Sequence, residues 1–182
     1  LAGPGVLVVA ATRRELVPVE GARTVLCGIG PVDAAVATAR ALAEELPTAV
    51  LHVGIAGARG LEPLTLVLGS EAIYCDAAGP FVVARALPDA DLLARLRAAF
   101  PAARVQPIGT SARVGGSRDV DVEAMEGFAV LRACGLAGVP AVEVRVVSNE
   151  IDEADRSLWR FDDAFAALAE LLPRLVAVAS GA

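Results

Sequence analysis

Met125-Glu126-Gly127-Phe128-Ala129-Val130-Leu131-Arg132-Ala133, continuing through Pro140 into Ala141-Val142-Glu143-Val144-Arg145-Val146-Val147-Ser148-Asn149, decides how this chain is read. Met125, Ala129 and Ala133 recur at i, i+4, which predicts a helix opening at Met125-Glu126-Gly127. From Val142 an apolar strand follows, with Ser148 and Asn149 at the end where side chains become accessible. A carboxylate and a carboxamide then lie on one edge of a sheet, the edge where open α/β folds bind ligands. Each also has a plain structural explanation, since Glu at a helix start favours the dipole and Asn after a strand is a common turn residue.

Outward from that stretch, composition narrows the class. The 182 residues suit one domain, residues 1–182, with a core large enough to fold without staples. Hydrophobic residues make up 55% and aromatics 4%, so the interior is built from Ala, Val and Leu on helices and buried parallel strands. A net charge of -6 without a basic run argues against nucleic acid or an anionic membrane surface as partner. Cys27, Cys75 and Cys134 are odd in number and lack CxxC spacing, which speaks against a disulfide framework or zinc site and for a reducing cytoplasm. The apolar opening, residues 1–11, has no basic n-region and is read as leading into a strand; no later run reaches the ~20 residues of a membrane span.

Along the chain, strands and helices alternate. Val6-Leu7-Val8-Val9-Ala10 predicts a buried strand ending at Ala11-Thr12-Arg13-Arg14-Glu15. Glu15 either lines a crevice there or is a solvated carboxylate beside two arginines. A strand over 24–27 leads to Gly28-Ile29-Gly30-Pro31 and a helix over 32–46, with Val32, Ala35, Val36, Ala39, Leu42, Ala43 and Leu46 on its buried stripe. The strand over 49–53 enters Gly54-Ile55-Ala56-Gly57, a glycine segment expected to turn tightly against a ligand, although neither G-x-G-x-x-G nor a Walker sequence is present. His52, the only histidine, sits among Val and Leu and is read as a packed core residue. Strands are expected over 64–74, 81–84 and 104–108, helices over 89–100 and from Phe161, the last kinked at Pro173. Gly115-Gly116-Ser117 is either a lid or a connector.

Four landmarks then occur in order: Ala10-Ala11-Thr12-Arg13-Arg14-Glu15, Gly28-Ile29-Gly30, Gly54-Ile55-Ala56-Gly57, and Met125-Glu126-Gly127 followed by Arg145-Val146-Val147-Ser148-Asn149. Together they resemble the nucleoside phosphorylase and nucleosidase superfamily, in particular methylthioadenosine/S-adenosylhomocysteine nucleosidases and futalosine hydrolases. The resemblance implies a three-layer α/β/α domain with a mixed central sheet, hydrolysing the N-glycosidic bond of a purine nucleoside without metal or organic cofactor, as a homodimer. It implies that Glu15 activates the attacking water, that Met125 packs under the ribose and Glu126 accepts from its hydroxyls, and that Ser148 and Asn149 address the purine, with Asn149 favouring a 6-oxopurine. Arg145, Ile55, Ala56, Gly57 and Val114 are expected around the substrate. These roles suit the chemistry, because a carboxylate beside an oxocarbenium-like cation and hydrogen bonds to the departing base both lower the barrier.

The chain departs from the family by being shorter, chiefly between Glu20 and Thr24, and by lacking, near Arg113 and Val114, the aromatic that commonly stacks on the base. Glu150-Ile151-Asp152-Glu153-Ala154 replaces the usual Pro- and Gly-containing turn. A phosphorolytic relative and a nucleoside-binding protein without turnover are the alternatives.

Overall fold

A computed structural model describes residues 5–77 and 79–181. The first four residues of the apolar opening, residue 78 and residue 182 lie outside the described residues. The described chain alternates β1 (Val6–Ala10), β2 (Ala22–Leu26), α1 (Pro31–Glu44), β3 (Ala49–Ala58), β4 (Leu66–Tyr74), β5 (Arg85–Ala86), α2 (Ala90–Ala99), β6 (Arg104–Thr110), β7 (Val122–Ala124), α3 (Gly127–Ala137), β8 (Ala141–Glu150) and α4 (Phe161–Ser180).

The sheet is mixed, as expected. β1 pairs in parallel with β2 and β3, and β3 in parallel with β8. β8 then runs antiparallel to β4, β4 parallel to β6, β6 parallel to β7, and β7 antiparallel to β3. The pairing therefore returns to β3, closing the middle of the sheet into a ring from which β2 and β1 extend as an open wing. Period-two alternation assigns the two faces of each strand. Val8, Leu51, Val53, Val144 and Val146 face Leu168, Leu172 and Leu175 of α4, with Leu92 and Leu96 of α2 in the same cluster. On the other face Leu7, Val9 and Val50 meet Ala34 and Leu42 of α1 and Val130, Leu131 and Cys134 of α3. The result is three layers.

Several local expectations change. No strand forms over 81–84, where Phe81 is exposed; the short β5 follows it and pairs with β4. The 54–57 segment is not a turn but the continuation of β3, whose ladder to β8 extends to Ala58. Gly54 is needed there because a Cβ would collide with the Arg145 guanidinium and the Glu15 carboxylate. α3 begins two residues later than the spacing predicts, because Glu126 is its N-cap with φ −127°. Met125 is thereby outside the helix. Val32 and Val36, expected on the buried stripe of α1, are 72% and 65% exposed: their face is apolar, but among the described residues it lines an open groove against α3. α4 runs through Pro173 as one helix. No described helix is long and apolar enough to cross a membrane.

Candidate active site

β1 ends at Ala10, and the chain turns through one 3-10 turn, Arg13–Glu15. The turn reverses the Glu15 side chain onto its own cap: the Thr12 amide and hydroxyl donate to Oε2 at 2.8 and 2.9 Å. Oε1 accepts from the Ile55 amide at 3.2 Å. Glu15 is thus buried rather than solvated, at 6% exposure, and its carboxylate is fixed by three donors. Arg14 points away from it, paired with Asp162 and lying over the Phe165 ring.

Glu126 faces Glu15 from the start of α3. Its Oε1 accepts from the Gly30 amide and its Oε2 from Arg145, both at 3.2 Å. Arg145 is 1% exposed, and most of its fork is spent inside the protein. Nε donates to Glu143 at 2.8 Å, Nη1 to the Ile55 carbonyl at 3.4 Å, and Nη2 also meets His52 Nε2 at 2.5 Å. A guanidinium cannot accept, so His52 Nε2 is the acceptor and Nδ1 carries the proton that it donates to the Val9 carbonyl at 3.1 Å. His52 is therefore core, as read, and neutral: burial, then the Arg145 charge, holds its pKa well below 6.5. Burial also raises the Glu143 pKa despite Arg145, and its Oε2 has no hydrogen-bond partner among the described residues. On Arg145 burial works against the charge, but Glu143 and Glu126 outweigh it and push its pKa up.

The far wall comes from the end of β8. The β3–β8 register slips between Ala56 and Gly57, which pair with Val147 and Asn149, so Ser148 is the extra residue of a bulge. That bulge re-aims the strand end. Ser148 Oγ lies 2.8 Å from Asn149 Oδ1 and 3.2 Å from the Ala56 carbonyl, and Asn149 Nδ2 donates to the Glu150 carbonyl at 3.0 Å.

Glu15, Ile55, Ala56, Gly57, Val114, Met125, Glu126, Arg145, Ser148 and Asn149 all line one cleft of about 270 Å³. The structure therefore brings together every residue expected around a site. Arg145 alone differs in kind, bonded to Glu126 and Glu143 with most of its donors taken rather than presenting a free fork. Sequence reading missed Thr12, Ile29, Glu123 and Ile151, and above all Trp159, Phe161 and Phe165, which line the same cleft. These aromatics supply a wall where residues 113–114 have none. Their signal was the i, i+4 pair Phe161 and Phe165 on the first turns of the closing helix.

Comparison with known proteins agrees with this fold. The family model of the phosphorylase superfamily matches residues 19–179. The chain belongs to the phosphorylase superfamily. Among its curated relatives in that superfamily, a futalosine hydrolase of Streptomyces coelicolor is 32% identical over 180 aligned positions, covering 83% of this chain and 77% of that one. A native structure of futalosine hydrolase from Helicobacter pylori superposes with TM-score 0.84 at 16% identity, covering 95% and 97% of the two chains, which establishes the shared fold. The 5'-methylthioadenosine/S-adenosylhomocysteine nucleosidase of Neisseria meningitidis, in complex with methylthio-immucillin-A, superposes with TM-score 0.77 at 26% identity over 96% and 97%.

Proposed function

We propose that this chain is a nucleosidase that hydrolyses the N-glycosidic bond of a 6-oxopurine nucleoside of the futalosine type and releases the free base. The observation that carries hydrolysis over phosphorolysis is the bond from the Ile55 amide to Glu15. A phosphate dianion needs free amides and a free cation. Here the amide on the glycine segment serves a carboxylate, and Arg145, the only cation among the described lining residues, is committed to Glu143 and Glu126. Three buried carboxylates around one guanidinium leave the cleft hostile to a dianion and favourable to an oxocarbenium-like cation.

In this reading Glu15 takes a proton from the attacking water. Glu126, held by Gly30 and Arg145, accepts from the ribose hydroxyls, and Met125 packs under the sugar. Ser148 and Asn149 hold the purine and relieve it of charge as it leaves. A positioned base of this kind contributes on the order of 10²–10⁴-fold. The futalosine hydrolase relative supports the substrate class, and Asn149 suits a 6-oxo group. We include in the proposal a homodimer closed over the exposed apolar groove of Val32, Val36 and Leu136, and a cytoplasmic location suited to three unpaired cysteines.

Incubation with futalosine, inosine and methylthioadenosine, with and without phosphate, tests the reading. Free base and free sugar at a rate independent of phosphate are expected. Ribose 1-phosphate in proportion to added phosphate would overturn hydrolysis, and binding without any base release would leave a nucleoside-binding protein.

A further inference from the structure

Arg59, the first residue beyond β3, joins two segments that never touch it in sequence. Its Nη1 donates to the Ser117 carbonyl at 2.9 Å and to the Val120 carbonyl at 3.1 Å. Its Nε and Nη2 grip both oxygens of Asp152, at 3.0 and 3.3 Å. Residues 111–120 carry Val114 of the cleft lining and lead into β7 on one side of β3, whereas Asp152 belongs to the turn that follows β8, with Asn149 and Ile151, on the other side of β3. Backbone bonds extend the same splint, from Arg59 to the Asp121 carbonyl and from Ile151 to the Ala58 carbonyl.

The loop needs this fastening. It has no ladder of its own, and Ser117 and Val120 are buried, so their carbonyls require partners. Glu123, a residue of the cleft lining, takes two of the loop's amides: Gly115 donates to one oxygen at 2.5 Å and Ser117 to the other at 2.6 Å. Glu123 thus holds the Gly115 and Ser117 amides, Asp76 the Ala112 amide, and Arg59 the Ser117 and Val120 carbonyls. Of these three side chains, Arg59 is the one that also grips Asp152. Arginine suits the task because its planar fork satisfies two carbonyls and a bidentate carboxylate at once, which lysine cannot do.

We propose that Arg59, through Asp152, Ser117 and Val120, is a positioning residue that couples the two walls of the base subsite and so sets the affinity for the purine. The inference rests on the proposed function, in which Asn149 holds the purine, and on Val114 lining the same cleft. Arg59 touches no reacting atom, so its loss should act on base affinity and KM and leave kcat nearly intact.

The test compares wild type with Asp152→Asn, Arg59→Met and Arg59→Lys by amide hydrogen exchange over residues 111–120, by hypoxanthine binding and by nucleoside kinetics. Asp152→Asn, a change at an exposed side chain, is expected to raise exchange at Gly115 and Ser117 in the opposite wall and weaken hypoxanthine binding about two- to fivefold. Arg59→Met is expected to weaken it about tenfold or more, with KM rising and kcat within about threefold, and Arg59→Lys to recover part of the loss. Unchanged exchange over 111–120 in both Asp152→Asn and Arg59→Met overturns the coupling, whatever the enzyme turns over. Raised exchange with unchanged hypoxanthine binding overturns its role in affinity. Failure of the wild type to release base from any nucleoside defeats the proposed function instead, while the exchange data still decide the coupling.

Discussion

The Ile55 amide donates to Glu15 Oε1 at 3.2 Å, so the glycine-flanked centre of β3 and the turn after β1 are locked together by one carboxylate. Thr12 occupies the other oxygen with two donors. Glu15→Gln therefore does more than remove a base. Its NH₂ must face either the Ile55 or the Thr12 amide, leaving a buried donor unpaired at a cost of about 1–3 kcal/mol. The expected outcome is a fall in kcat on the order of 10²–10⁴-fold with substrate still bound, together with a lower midpoint in urea. Near-normal kcat in steady-state assays would remove Glu15 from the mechanism.

His52 makes stability sensitive to acid. Its folded pKa lies below the ordinary value of 6.5, so below that pH the unfolded chain binds a proton that the folded chain refuses. The contribution is complete above 6.5 and is lost as pH falls from there toward the folded pKa, at up to about 1.4 kcal/mol per pH unit. His52→Gln can still offer Arg145 an acceptor and carries no titrating proton. Thermal melts of the two proteins between pH 7 and 5 should diverge, the wild type losing more; parallel curves would show that His52 does not titrate against folding.

Gly127 follows from the same buried cluster. A Cβ at this position would drive into the Glu143 carboxylate, which is itself fixed on Arg145. Gly127→Ala, a change that helix propensity alone would favour, should instead destabilise by about 1–3 kcal/mol. Because Arg145 also supports Glu126, it should raise KM for the nucleoside as well. Denaturant unfolding checks the first part and steady-state kinetics the second; a stabilised variant would mean that the cluster yields without cost.

Asn149 is held in one orientation. Its Nδ2 faces the Glu150 carbonyl, which can only accept, so flipping the amide would set two oxygens against each other. The remaining N–H can donate to a 6-oxo group but meets another donor in a 6-amino purine, at about 1–3 kcal/mol. Inosine-type substrates should be preferred over adenosine-type ones roughly ten- to hundredfold in kcat/KM, with Asn149→Asp shifting the balance toward adenine. Equal values for both bases in the wild type would show that selection lies elsewhere.

Apolar periodicity in the sequence by itself determined the alternation of strands and helices and the strand ends where chemistry gathers, because such patterns are local. The layered mixed sheet and the residues expected in the cleft, from Glu15 to Asn149, came from short motifs in order along the chain and the family resemblance they carry. Periodicity reports that a face is apolar and not what covers it, which is why Val32 and Val36 were expected inside and lie on an open groove. Only the tertiary structure decided the closed ring of β3, β8, β4, β6 and β7, because ring closure depends on pairings far apart in sequence. It also decided that Arg145 spends its fork on Glu143, Glu126 and His52, that Gly54 and Gly127 make room for buried charged side chains, and that Trp159, Phe161 and Phe165 supply the missing wall. Each of these depends on which side chain a distant strand or helix presents across the cleft.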